Sequence, residues 1–166
     1  MGPLRLLVVS DIHSNLPALE RVLEDAGVFD GAICAGDVVG YGPDPAKCIE
    51  GLSGRNVTCV TGNHDQAAVT GDSSNLNEYA AEAIRINRRL LINSHVEWLR
   101  SLQSSLSLEV EGVRISVFHG SPYQPLVDYI YPEEARQMAG GFFDDTGSDL
   151  LILGHTHVPY IYRFHE

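Results

Sequence analysis

Five short polar motifs each follow directly on a short, mostly apolar run: Asp11-Ile12-His13, Gly36-Asp37, Gly62-Asn63-His64-Asp65, His119-Gly120 and Gly154-His155-Thr156-His157. Carboxylate, imidazole and carboxamide groups are the donors of a borderline transition-metal site. Singly the motifs say little. Asp37, Asn63 and Asp65 are also turn formers, and an isolated His119 reads as a core or turn histidine. His155-x-His157 is stronger, because alternate residues beyond a strand can face one centre. Chance is a poor account of all five, since each sits at the same kind of boundary with a ligand-competent residue. Two metals sharing one carboxylate, about 3.5–4 Å apart, would lower the pKa of a bridging water. The resulting hydroxide would attack a phosphoryl group whose charge the same ions stabilise. Asp37, on its own loop between the Asp11 and Asn63 loops, is the candidate bridge. His64 suits a general acid for the leaving group, with Asp65 beside it to orient or charge the imidazole.

The apolar runs must place these residues. Short β-branched runs read as buried strands, and open α/β sheets gather their chemistry beyond the carboxyl ends of their strands. Runs at 4–10, 31–35 and 56–61 alternate with helical patterns, which predicts a partly parallel sheet. The first helix is expected over 15–27, with Asn15 as N-cap, Pro17 in the first turn and Gly27 at its end. A second runs from Pro43 and Pro45 to about Leu52. Residues 76–103 are helical, Ser94 capping the second segment. Glu111-Gly112 joins strands 106–111 and 113–118 in a hairpin, Pro132 starts a short helix, and DLLIL and PYIYRF close the chain as strands. Strands in both halves with helices outside imply two packed sheets.

The chain of 166 residues reads as one domain over 1–166, with 44% hydrophobic and 20% charged residues. Its formal net charge of −11 repels nucleic-acid backbones and anionic membranes, so neither is an expected partner. No run approaches the ~18 apolar residues of a membrane span. The N-terminus enters the first strand without a signal pattern. Cys34, Cys48 and Cys59 form no CxxC pair and read as reduced core residues. A cytoplasmic location is the resulting expectation.

The five motifs, in order and spacing, together with GDVVGYGPDP and HGSPYQPLVDYIYPEE, resemble the calcineurin-like metallophosphoesterases, in particular a small prokaryotic phosphodiesterase-like branch. The resemblance implies a four-layer αββα sandwich of two mixed β-sheets flanked by helices, with two divalent transition-metal ions. One metal would take Asp11, His13, Asp37 and His157, the other Asp37, Asn63, His119 and His155, with His64 assisting the leaving group. Manganese is the expected metal, with iron, nickel, cobalt and zinc open to the same mixed donor set. The implied substrate is a small phosphodiester, including nucleotide-derived ones. Phosphomonoesters and dinucleoside polyphosphates are the nearest alternatives, and a protein-binding scaffold on the same fold is the alternative of another class.

Three departures stand out. Gly40 replaces an aspartate common in relatives, without loss of a ligand. Thr61 stands where protein phosphatases of this superfamily carry an arginine, which removes a phosphate clamp. Relatives continue beyond the His-x-His strand, so the chain reads as C-terminally shortened, lacking the usual last strands. Its PYIYRF edge strand would then invite pairing with a second copy. Arg85, Arg88 and Arg89 share a helix face, either solvated or facing substrate phosphate. Tyr41 and Tyr123 flank metal motifs and could stack a base or aryl group. Trp98 reads as core, His95 and His165 as surface.

Overall fold

The computed structural model describes residues 4–55 and 57–164; His165 lies outside them. Strands β1 (Leu6–Val9), β2 (Gly31–Cys34) and β3 (Val57–Cys59) form a parallel sheet in the order β1-β2-β3. Strands β4 (Ser105–Val110), β5 (Val113–Phe118) and β6 (Leu150–Ile152) form a second sheet, antiparallel between β4 and β5 and parallel between β5 and β6. The expected β4–β5 hairpin is present, with Glu111 and Gly112 both at positive φ in its turn.

Alternation along the strands builds the layers. Ile33 and Val60 pack against Ile115, Val117 and Ile152 between the sheets, whereas Cys34 turns the other way into a core shared with Leu19, Ile49, Leu52, Ile84 and Leu99. Helices α1 (Leu16–Ala26), α2 (Pro45–Ser53), α3 (Asn63–Thr70), α4 (Glu78–Leu90) and α5 (Asn93–Ser101) cover that outer face. Helix α6 (Pro132–Thr146) covers the second sheet through Ala135 and Phe142, against Leu151 and Leu153. The result is the four-layer sandwich.

Several local expectations hold. Asn15 caps α1 by accepting from Ala18 N at 3.2 Å, and Gly27 ends it at φ 63°. Cys34, Cys48 and Cys59 are buried and free. Four differ. Helix α3 is an addition, beginning at the Asn63 motif itself. Helix α6 runs through Gly140-Gly141 to Thr146, because Phe142 beyond them is needed in the core. The N-cap of α5 is Ile92 rather than Ser94, and His95 is buried, its Nε2 3.1 Å from Glu50 Oε1. The expected PYIYRF strand does not form: residues 158–164 carry no strand, and Pro159 lacks the N–H a ladder requires. Tyr160 instead donates its hydroxyl to Ile130 O at 2.7 Å, and Ile161 is 94% exposed. No helix among the described residues is long and apolar enough to cross a membrane.

Candidate metal centre

Because β1, β2 and β3 are parallel, and β5 and β6 are parallel to one another, their following loops can meet at one rim. Backbone pairing continues past the strands and sets the loops in register: Asp11 N donates to Gly36 O at 3.0 Å, His13 N to Asp37 O at 2.9 Å, and Gly154 N to His119 O at 2.8 Å. Asp11 also accepts from His155 N, at 3.2 Å on Oδ1 and 3.1 Å on Oδ2, which ties the first motif to the last.

All seven expected ligands converge. His13 Nε2 lies 3.0 Å from His157 Nε2, and His157 Nε2 lies 3.4 Å from Asp11 Oδ1. His119 Nε2 lies 3.0 Å from both Asn63 Oδ1 and His155 Nδ1. One oxygen joins the two groups: Asp37 Oδ2 is 3.7 Å from His13 Nε2 and 3.3 Å from His119 Nε2. The other carboxylate oxygen, Oδ1, accepts from His64 N at 2.9 Å.

The chemistry of these contacts identifies what they fit. His119 Nδ1 faces Ala35 O at 2.8 Å, and His13 Nδ1 faces Val39 O at 3.2 Å. A carbonyl oxygen only accepts, so each Nδ1 carries the proton and each neutral ring turns a bare Nε2 lone pair inward. Those lone pairs meet other acceptors: a carboxylate, an amide oxygen and further imidazoles. Asp37 Oδ2 is buried without any hydrogen-bond donor. Acceptors gathered on acceptors repel unless a cation lies among them. The residues therefore fit divalent metal ions, with Asp37 placed to touch both positions.

Electrostatics agree. Burial would raise the Asp37 carboxyl, but the close approach of His119, with the charges of His64 and His13, outweighs it and holds it at about 2. Burial would lower His119, yet its contact with Asp37 raises it to about 9, the same pull toward positive charge that a cation between them would meet. His155 is pushed down to about 4, first by burial and then by the charge of His119. His64 is pushed to about 4 by burial, against the pull of Asp37. Its ring packs on His13 at 4.7 Å, and its Nδ1 has no hydrogen-bond partner.

Five of the expected ligands occupy left-handed backbone: Asp11 (φ 54°), His13 (49°), Asp37 (54°), His155 (70°) and His157 (55°). That conformation costs roughly 1–2 kcal/mol per non-glycine residue, and aspartate and histidine tolerate it better than most. Glycines make room beside them. A Cβ on Gly40 would lie 2.5 Å from His64 Nδ1 and 3.0 Å from His13 Nδ1, and one on Gly62 would overlap Asp37 Oδ1.

Asp65 does not orient His64 as expected. Its oxygens accept from the backbone amides of Val38 (3.2 Å), Val39 (3.0 Å) and Gly62 (3.1 Å), pinning the Asp37 loop to the start of α3. Burial and the charge of Asp37 push its carboxyl up to about 7, against those three donors. A residue not singled out from the sequence does similar work. Asn87 is buried on α4; its Oδ1 accepts from Ser14 Oγ at 2.7 Å and Gly40 N at 2.9 Å, and its Nδ2 donates to Gly42 O at 3.0 Å. The sequence signal was an asparagine on the apolar stripe of Ala80 and Ile84 in one helix. The three arginines do not form a phosphate site at the cluster: Arg85 pairs with Glu82, Arg88 donates to Ala68 O at the end of α3, and Arg89 is exposed.

A family model described as the calcineurin-like phosphoesterase superfamily domain matches residues 4–165. An uncharacterized protein of Methanocaldococcus jannaschii is 33% identical over 163 residues, covering 94% of this chain and 63% of that protein. The crystal structure of a metallophosphoesterase from Sphaerobacter thermophilus matches with a TM-score of 0.79 at 37% identity, over 95% of this chain and 62% of that one. A hypothetical protein from Pyrococcus horikoshii shares the fold at 20% identity, also with a TM-score of 0.79, over 95% of this chain and 71% of that one. The chain thus spans less than two thirds of the length of the first two relatives.

Proposed function

The chain belongs to the calcineurin-like phosphoesterase superfamily, and from that premise we propose that it hydrolyses small phosphodiesters at the Asp37 cluster. The observation that carries this is Asp37 Oδ2, buried without a donor between His13 Nε2 and His119 Nε2. Asp11, His13, Asp37 and His157 would hold one ion; Asp37, Asn63, His119 and His155 would hold the other. Two such ions, with manganese our choice for both, would supply a nucleophile from water at neutral pH and neutralise phosphoryl charge. Every remaining task falls to side chains. Asp37 fixes the separation of the two positions, and the Nδ1 locks of His13 and His119 keep their lone pairs inward. His64 is assigned the protonation of the leaving oxygen, as the general acid beside the cluster. Asp65 is assigned a positioning role, through the amides it holds.

Thr61 supports the diester. It turns its N–H to Gln103 O at 2.8 Å and its hydroxyl to Gly62 O at 3.3 Å, and supplies no cationic clamp for a dianionic monoester. The exposed Val158 and Ile161 suit self-association, which sedimentation would read. Three buried free cysteines suit a reducing compartment such as the cytoplasm. The test is hydrolysis by manganese-reconstituted protein. Bis(p-nitrophenyl) phosphate should turn over faster than p-nitrophenyl phosphate, and Asp37→Asn should lose more than ~100-fold. Reconstituted protein that hydrolyses neither ester would overturn the reading.

A further inference from the structure

Three tyrosine rings stand beside the ligand cluster, and the reaction as proposed uses none of them. Tyr129 lies flat on His155, with ring centroids 3.7 Å apart and planes inclined by 22°. Tyr131 runs nearly parallel to Tyr129, at 12° and 6.3 Å. From the Gly-rich loop after β2, Tyr41 meets the His13 ring at 4.8 Å and the His64 ring at 4.9 Å. Tyr41 and Tyr129 are 47% and 51% exposed, so core packing does not account for them. Tyr41 also sits in left-handed backbone at φ 43°, a conformation unfavourable for a bulky side chain. That backbone aims its ring at the two histidines. Tyr123, the other aromatic singled out in the sequence, is different: its hydroxyl donates to Asp145 at 2.7 Å and its ring packs on Phe142 at 5.2 Å, which commits it to α6.

We propose that Tyr41 and Tyr129, backed by Tyr131, form a stacking subsite for a planar aromatic substituent of the phosphoester, a nucleobase or an aryl ring. The proposal rests on the phosphoesterase reading for the position of the phosphoryl group, at the Asp37 cluster between the two tyrosine loops. Rings held at the ligand histidines and half in water offer π-surface to a flat group leaving the cluster. Stacking of this kind is tolerant of the identity of the ring.

The test is calorimetric binding to manganese-loaded protein with two matched pairs of probes. Adenosine 5′-monophosphate is compared with ribose 5-phosphate, and phenylphosphonate with methylphosphonate. The aromatic member of at least one pair should bind about 10-fold tighter or more. A preference in the first pair alone identifies a nucleobase as the ligand; a preference in the second shows that an aryl ring suffices. Tyr129→Leu and Tyr41→Leu should each cut that preference ~5-fold or more, at unchanged metal content. Tyr41→Asn, which tolerates left-handed backbone, should do the same, and Tyr129→Phe should keep the preference. Equal binding within both pairs, an unchanged preference in the leucine variants, or a Tyr129→Phe as damaging as Tyr129→Leu would overturn the subsite. Hydrolysis of diesters with no aromatic preference would overturn it alone, whereas preference without hydrolysis would count against the phosphoesterase reading.

Discussion

The two halves of the ligand cluster are built from similar donors but differ in shelter. Around His119 the half is closed: His119 is 0% and His155 6% exposed. Around His13 it is open on one side, because the His157 side chain is 52% exposed and Asp11 reaches it only at 3.4 Å. The Nδ1 locks differ as well, 2.8 Å for His119 against 3.2 Å for His13. A ligand packed on all sides loses little freedom when it binds, whereas an exposed imidazole must be ordered first. The halves should therefore hold their ions with unequal strength, the closed half more tightly.

The sharpest way to break this comparison is to remove one histidine from each half. His119→Ala should abolish the tighter ion, lowering its affinity by more than ~100-fold, and should lower the melting temperature because it leaves a buried cavity. His157→Ala should leave one ion per chain in place and weaken the other by ~10–100-fold, as elemental analysis after dialysis would read. Equal metal loss in the two variants would refute the asymmetry. Next in size, graded chelation of the unaltered protein should release one equivalent well before the second. A single-step isotherm would mean the halves are equivalent.

A smaller effect comes from outside the ligand set. Asn87 holds Ser14, Gly40 and Gly42, all beside the open half. Asn87→Leu should cost about 1–3 kcal/mol through the buried groups it strands, read by denaturant unfolding. It should weaken the open-half ion ~10-fold while sparing the closed one. The smallest effect lies on the second sheet, away from both halves. The hydrogen bonds from Arg114 hold Asp149 at about 2, below its ordinary value. The pair's stabilisation is therefore full above about pH 4 and is lost as the pH falls toward 2. Both side chains are exposed, so Asp149→Asn should lower stability only slightly at pH 7 and should remove that part of the acid dependence. Metal stoichiometry should not change.

The position of the site was legible because strand ends carry it. Apolar runs ending in Asp, Asn or His fix both the sheet and the rim, and that pattern needs no long-range information. Helix α3 was hidden because Gly62-Asn63-His64-Asp65 also reads as a turn, and because His64, Asp65, Ala67 and Ala68 are all buried, which erases an amphipathic period. PYIYRF has a strand's composition, but strand formation needs an edge to pair with, and the backbone there pairs with none. The link from Asn87 to the Gly40 loop spans 47 residues; one polar residue on an apolar stripe reports that a partner exists and not which one.

The left-handed backbone at Asp11, His13, Asp37, His155 and His157 narrows the evolutionary alphabet of the loops independently of metal binding. A glutamate or glutamine there would still offer an oxygen, yet would lose the local hydrogen bonding that lets short polar side chains rest at positive φ. Drift at these positions is therefore channelled toward asparagine, aspartate, histidine and glycine. A lineage that gave up its ions would gain conformational ease by admitting glycine, so the loss of chemistry and the relief of strain would run along the same mutational path.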